Sequence, residues 1–146
     1  MNTETQSPHP VGSSAWLAEQ IARKAHANQF RRDGVTPYIT HPEAVANKLK
    51  SEGDEAVAVA WLHDVLEDTK MTPECLRDAG LPMTVIDAVC DLTHERDEPY
   101  AAYLEWIKRN PLAVNVKVAD MLHNLSDAPT KKQIVKYARG LLALLG

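Results

Sequence analysis

Apolar residues recur at three- and four-residue spacing over almost the whole chain, and no stretch keeps the alternation of a half-buried strand. Only six glycines interrupt the 146 residues, too few to furnish a series of hairpin turns. The pattern commits the chain to an all-α fold. Its length favours one domain, large enough to bury a core of its own. No internal repeat, low-complexity tract or linker divides it.

Turn and cap residues place the helices. Ser13 or Ser14 caps a first helix to about Phe30, with Trp16, Leu17, Ile21 and Ala25 facing inward. Arg31 to Thr40 breaks the pattern, with Asp33-Gly34 and Pro37 making a loop. A second helix starts near Pro42 and ends near Gly53. Asp54 is expected to cap a third, through Asp68, which is the most apolar segment and hence central. Shorter helices follow over 72–80, 82–92 and 99–109, then longer ones over 111–127 and 130–145. The expected architecture is a bundle of seven or eight helices over residues 13–146, behind a flexible leader over 1–12 rich in Ser, Thr and Pro.

Charge and hydropathy exclude whole classes of function. Sixteen Lys and Arg against twenty Asp and Glu give a net charge of −4, which argues against an electrostatic grip on a nucleic acid polymer. The longest apolar run, Ala56 to Leu62, falls far short of the ~20 residues that span a bilayer. The first residues have neither the basic nor the apolar part of a secretory signal, so the expected location is cytoplasmic. Cys75 and Cys90 match no zinc-binding spacing and are expected to be buried free thiols. The leucines at 141, 142, 144 and 145 either close the core or form a dimer patch, leaving monomer and homodimer both open.

Chemistry concentrates in three places. In Trp61-Leu62-His63-Asp64-Val65-Leu66-Glu67-Asp68, a continuous helix puts Glu67, Asp64 and Asp68 at about 40°, 100° and 140° from His63. Three carboxylates in one sector repel unless a positive charge sits among them, and a divalent cation is the economical neutraliser. The alternative is a solvated acidic face, which the buried run before it disfavours. In Val116-Lys117-Val118-Ala119-Asp120-Met121-Leu122-His123-Asn124, Asp120 shares a stripe with Lys117, His123, Asn124 and Asp127. There Asp120 is either a ligand or the salt-bridge partner of Lys117. His41, at a loop-to-helix entrance, is the third element.

His41, His63, Asp64 and Asp120 together make a nitrogen-oxygen donor set suited to Mn²⁺, Fe²⁺, Zn²⁺ or Mg²⁺, with positions left for water and substrate. Such an ion activates water and polarises a phosphoryl oxygen, the core of metal-assisted phosphate hydrolysis. Glu67 and Asp68 are then candidates to orient or deprotonate that water.

The order His … His-Asp … Asp resembles the HD superfamily of metal-dependent phosphohydrolases. The segments AHANQFRRDGVTPYITHPEAVANKL, WLHDVLEDT and VKVADMLHNL are similar to blocks of the RelA/SpoT hydrolase domain and its small single-domain relatives, including metazoan SpoT homologues. The resemblance spans about Ala22 to Asp127. It implies hydrolysis of the 3′-pyrophosphate of (p)ppGpp to GDP or GTP and pyrophosphate, with one Mn²⁺ per chain. His41, His63, Asp64 and Asp120 match the metal ligands, and Glu67 and Asp68 the acidic pair near the attacked group. Arg31, Arg32, Tyr38 and Asn124 match the nucleotide pocket.

Four departures accompany the match. The loop between Arg32 and Pro37 is one residue longer than the family pattern, Asn28 replaces a glycine, Arg32 a lysine, and Ser126 stands where an arginine is usual. These leave room for another substrate, such as a nucleotide monophosphate or NADPH, and for a non-catalytic nucleotide sensor. The short segment after Asp127 leads to the expectation of a stand-alone hydrolase without a synthetase domain.

Overall fold

The computed structural model describes residues 7–146. Among them there is no strand, only an isolated bridge between Phe30 and Pro37. The helices are α1 (Ser14–Ala25), α2 (Thr40–Lys48), α3 (Asp54–Leu62), α4 (Val65–Asp68) and α5 (Pro73–Asp78), followed by α6 (Met83–Asp91), α7 (Tyr100–Ile107), α8 (Pro111–Ser126) and α9 (Lys131–Leu145). A 3₁₀ turn, Lys50–Glu52, joins α2 to α3.

The helix α3 is the axis of the molecule. Every residue from Ala56 to Leu62 is buried, and α1, α2, α6 and α8 pack around it. The buried face of α1 is Ala15, Ala18, Glu19 and Ala22, whereas Trp16, Leu17, Ile21 and Ala25, expected to face inward, are only partly buried. Small side chains let the two helix axes approach closely, so packing rotates the stripe away from the bulkiest residues.

Two local devices depart from the sequence expectation. Asp54 does not cap its own helix: its carboxylate accepts the main-chain N–H groups of Ser14 and Ala15, both at 3.1 Å, and so joins Ser13 in capping α1. The expected third helix also divides at His63 and Asp64, into α3 and the single turn of α4. His63 Nδ1 lies 2.6 Å from the carbonyl of Ala60, the acceptor that a continued helix would offer to the N–H of Asp64. Capture of that carbonyl by the imidazole accounts for the break.

Residues 1–6 of the expected leader lie outside the described residues. From Ser7 onward the segment is tied to the bundle: Ser7 donates to Glu19, and Trp61 Nε1 donates to His9 Nε2 at 3.1 Å. Cys75 and Cys90 are exposed, not buried, and unbridged. No helix among the described residues is long and apolar enough to cross a membrane.

Candidate metal centre and nucleotide pocket

Three places along the backbone bring the chemistry together. His41 is the second residue of α2, His63 and Asp64 occupy the kink between α3 and α4, and Asp120 projects from the middle of α8. His41, His63 and Asp120 are all at least 96% buried.

Asp120 Oδ1 lies 2.7 Å from His41 Nε2 and 3.3 Å from His63 Nε2, and the two imidazole nitrogens are 3.3 Å apart. Asp64 Oδ2 lies 3.0 Å from His63 Nε2 and 3.8 Å from His41 Nε2. Neighbouring ligand atoms about 2.1 Å from one octahedral ion would stand about 3.0 Å apart, and His41, His63 and Asp120, whose donor atoms lie within 4.8 Å of one another, could hold a divalent cation.

The outer nitrogens are already engaged. His63 Nδ1 is directed at Ala60 O, and His41 Nδ1 lies 2.7 Å from His123 Nδ1. Both Nε2 atoms are thereby turned inward, the arrangement that metal-binding histidines require. Burial opposes charge on His63, but Asp64 and then Asp120 outweigh it and hold the imidazole well above its ordinary range. The cluster draws positive charge.

Of the alternatives left open for Asp120, the ion pair with Lys117 is present, and it leaves one oxygen facing the histidines. Its Oδ2 accepts from Lys117 Nζ at 3.0 Å, while Oδ1 faces the histidines and accepts from Asn124 Nδ2 at 3.2 Å. Burial would raise this carboxyl, yet Lys117 foremost keeps it well below the usual carboxylate range. Tyr38 Oη donates to Asp64 Oδ2 at 2.6 Å. Burial and the Asp64 charge push the Tyr38 phenol up, so it remains a donor.

A cavity of about 300 Å³ opens over the cluster, lined by Arg31, Arg32, Tyr38, Lys117 and Asn124 beside the donors. Phe30 and the α9 residues Gln133 and Tyr137 complete the lining. The basic loop is knitted by Asp33, which accepts the N–H groups of Val35 and Thr36 and the Thr36 hydroxyl, with Gly34 at φ +72° making the turn. Arg31 reaches across to Asp127 Oδ2 at 2.8 Å and Asn124 Oδ1 at 3.3 Å. Ser126 donates to His123 O and brings no cation.

Glu67 and Asp68 do not line this cavity. Glu67 accepts the main-chain N–H of His94, and Asp68 O accepts Gln29 Nε2 at 2.9 Å. Both carboxyls are raised, first by desolvation and then by neighbouring charge, that of Asp64 included.

Sequence reasoning underrated four contributors. Lys117 figured only as a salt-bridge partner and His123 only as a neighbour on the Asp120 stripe. Gln133 and Tyr137 carried no local signal, because only tertiary folding returns α9 to the site.

No family model matches the chain. A guanosine-3′,5′-bis(diphosphate) 3′-pyrophosphohydrolase of Danio rerio is 37% identical, over 79% of this chain and 70% of its own length. The enzyme so named in Haemophilus influenzae is 37% identical over 72% of this chain, and a probable GTP pyrophosphokinase of Mycobacterium leprae 36% over 82%. The chain spans about a sixth of either bacterial relative, 17% in each. A solved structure, described as a metazoan ortholog of SpoT that hydrolyzes ppGpp, superposes with a TM-score of 0.77 at 26% identity, covering 95% of this chain and 86% of that one.

Proposed function

The chain belongs to the family of SpoT/RelA-type (p)ppGpp hydrolase domains, and from that premise we propose that it removes the 3′-pyrophosphate of (p)ppGpp by metal-dependent hydrolysis. Water supplies a hydroxyl to the phosphorus attached to the ribose 3′-oxygen, the bond between that phosphorus and that oxygen breaks, the ribose oxygen takes up the proton, and GDP or GTP and pyrophosphate leave. The observation that carries the reading is the convergence of four inward-turned imidazole and carboxylate donors beneath a cavity with guanidinium and ammonium groups in its wall.

His41, His63, Asp64 and Asp120 are the residues that would hold the ion, with Mn²⁺ the first choice. A divalent cation there supplies Lewis acidity toward a phosphoryl oxygen and toward water. Lys117 holds Asp120 Oδ2 and leaves Oδ1, which also accepts from Asn124, turned to the centre, while Tyr38 donates to Asp64 Oδ2, the oxygen beside His63. Glu67 and Asp68 orient or deprotonate the attacking water, and desolvation raises both carboxyls above their ordinary values. Arg31 and Arg32 bind the nucleotide, the planar guanidinium suiting both phosphate and base. Tyr38 and Asn124 complete the subsite.

Pyrophosphate release from ppGpp by the purified protein with Mn²⁺, beside Asp64→Ala, tests the reading. Release that disappears in the variant is expected. An inert protein that still binds metal stoichiometrically would overturn the substrate, and NADPH or a nucleotide monophosphate would be tried next.

A further inference from the structure

On the side of α9 away from the metal centre, Ile134, Val135, Leu142 and Leu145 are 45, 49, 73 and 66% exposed. With Ala138 they share a sector of about 100° on the helix, and positions 135, 138, 142 and 145 follow the three-four spacing of a helix-pairing seam. Beside the seam lies an apolar depression of about 690 Å³ between α7 and α9. Its walls are Tyr100, Ala101 and Leu104 on one side and Val135 and Ala143 on the other. Gly140 forms part of the floor, where a Cβ would come within 2.6 Å of Met121 Cε, so a glycine lets α9 seat closely on α8.

We propose that this groove docks an amphipathic helix of a partner protein, one whose apolar stripe is flanked by Asp and Glu. The charge on α9 selects the partner. The helix carries Lys131, Lys132, Lys136 and Arg139 and no acidic residue, on a chain whose net charge is −4. Lys132, Lys136 and Arg139 line the groove itself, against a single carboxylate, Glu105, on α7. Pairing α9 with α9 of a second copy sets these cations against each other, which disfavours the symmetric occupant. A flat anionic bilayer meets the charge but leaves the concavity unfilled, whereas a helix lays side chains into it.

Docking reaches the other face of the same helix. Lys136 Nζ sits 4.7 Å from the ring centre of Tyr100, in the groove wall, and 5.6 Å from that of Tyr137, in the lining of the metal-site cavity. A carboxylate that captures Lys136 from outside draws it off Tyr137. This consequence for the pocket rests on the hydrolase reading above; the docking itself does not.

The test is fluorescence anisotropy of two labelled synthetic helices with the same leucine seam, one flanked by Glu and one by Lys, titrated with the full chain. Saturable binding of the Glu peptide alone is expected, weakened about tenfold by Arg139→Glu or by Leu142→Gln, both at surface positions outside the catalytic machinery. Circular dichroism of each variant checks that it is folded. Equal binding of the two peptides, binding of neither, or binding that both variants leave unchanged overturns the proposal. So does capture by phosphatidylserine vesicles without capture by the peptide, which would make the face a membrane contact.

Discussion

Lys117 Nζ and Asp120 Oδ2 stand 3.0 Å apart, with 15% and 6% of their side chains exposed, while the other oxygen of Asp120 faces two imidazoles. The pair holds the Asp120 carboxyl well below the usual carboxylate range against burial, which would raise it. Removing the lysine leaves that charge without its main partner. Lys117→Met is expected to cost about 3 kcal/mol in urea unfolding, the scale of a broken buried pair. A loss below about 1 kcal/mol would reduce the contact to a surface one.

Metal removal should act on stability as well as activity, since a ligand that binds only the folded chain stabilises it. At an Mn²⁺ concentration about 100 times Kd the gain is about 2.7 kcal/mol, lost on chelation and restored on refilling. Asp64→Ala should weaken metal binding by about two orders of magnitude and erase the chelator-dependent shift in Tm. Elemental analysis and thermal melts with and without chelator read both effects. A melt insensitive to metal in the unmodified protein would remove the centre.

The Arg31–Asp127 pair makes an opposite pattern. Asp127 is 52% exposed, so Asp127→Ala should change stability by no more than about 0.5 kcal/mol. It releases a guanidinium already aimed over the cavity, and KM for ppGpp should fall about two- to fivefold with kcat unchanged. Arg31→Ala should raise KM about tenfold. Steady-state kinetics on the two variants separates a substrate-binding arginine from one that merely clamps the loop to α8, because a clamp predicts the same direction for both.

Most of the fold could be read from one chain because its helix starts are chemically marked: Thr72, Asn110 and Thr130 each accept a main-chain N–H of the helix that follows. The boundary at His63 could not, since the break comes from a side chain taking a main-chain acceptor within an unbroken apolar pattern. In the site, residues on one helix stripe, such as Lys117, Asp120 and Asn124, were legible by spacing. The meeting of α2 with α8 through His41 and His123, and the return of α9 with Tyr137, depend on tertiary packing that no local period encodes.

Asp54 illustrates the same division. Its position before an apolar run marks a helix start, but the start it serves is that of α1, forty residues earlier in sequence. Asp54→Ala should therefore cost about 1 kcal/mol, the usual worth of a cap. Hydrogen exchange should then quicken at Ser14 and Ala15 more than at Val57. Exchange that quickens chiefly in α3 would return the cap to its own helix.

Glu67 offers the sharpest pH signature. Desolvation first, and then the charges of Asp64 and Asp68, raise its carboxyl above the ordinary value. A base acts only when deprotonated, so kcat should climb as pH rises through that raised pKa and fall away below it. The acid limb is thus displaced upward from where an unperturbed glutamate would place it. Glu67→Gln should lower kcat by about 10²- to 10⁴-fold and leave metal content unchanged, since the carboxylate stands apart from the donor cluster. If the residual activity keeps the same acid limb, the proton acceptor is Asp68. The Asp68→Asn profile would then have to lose the limb.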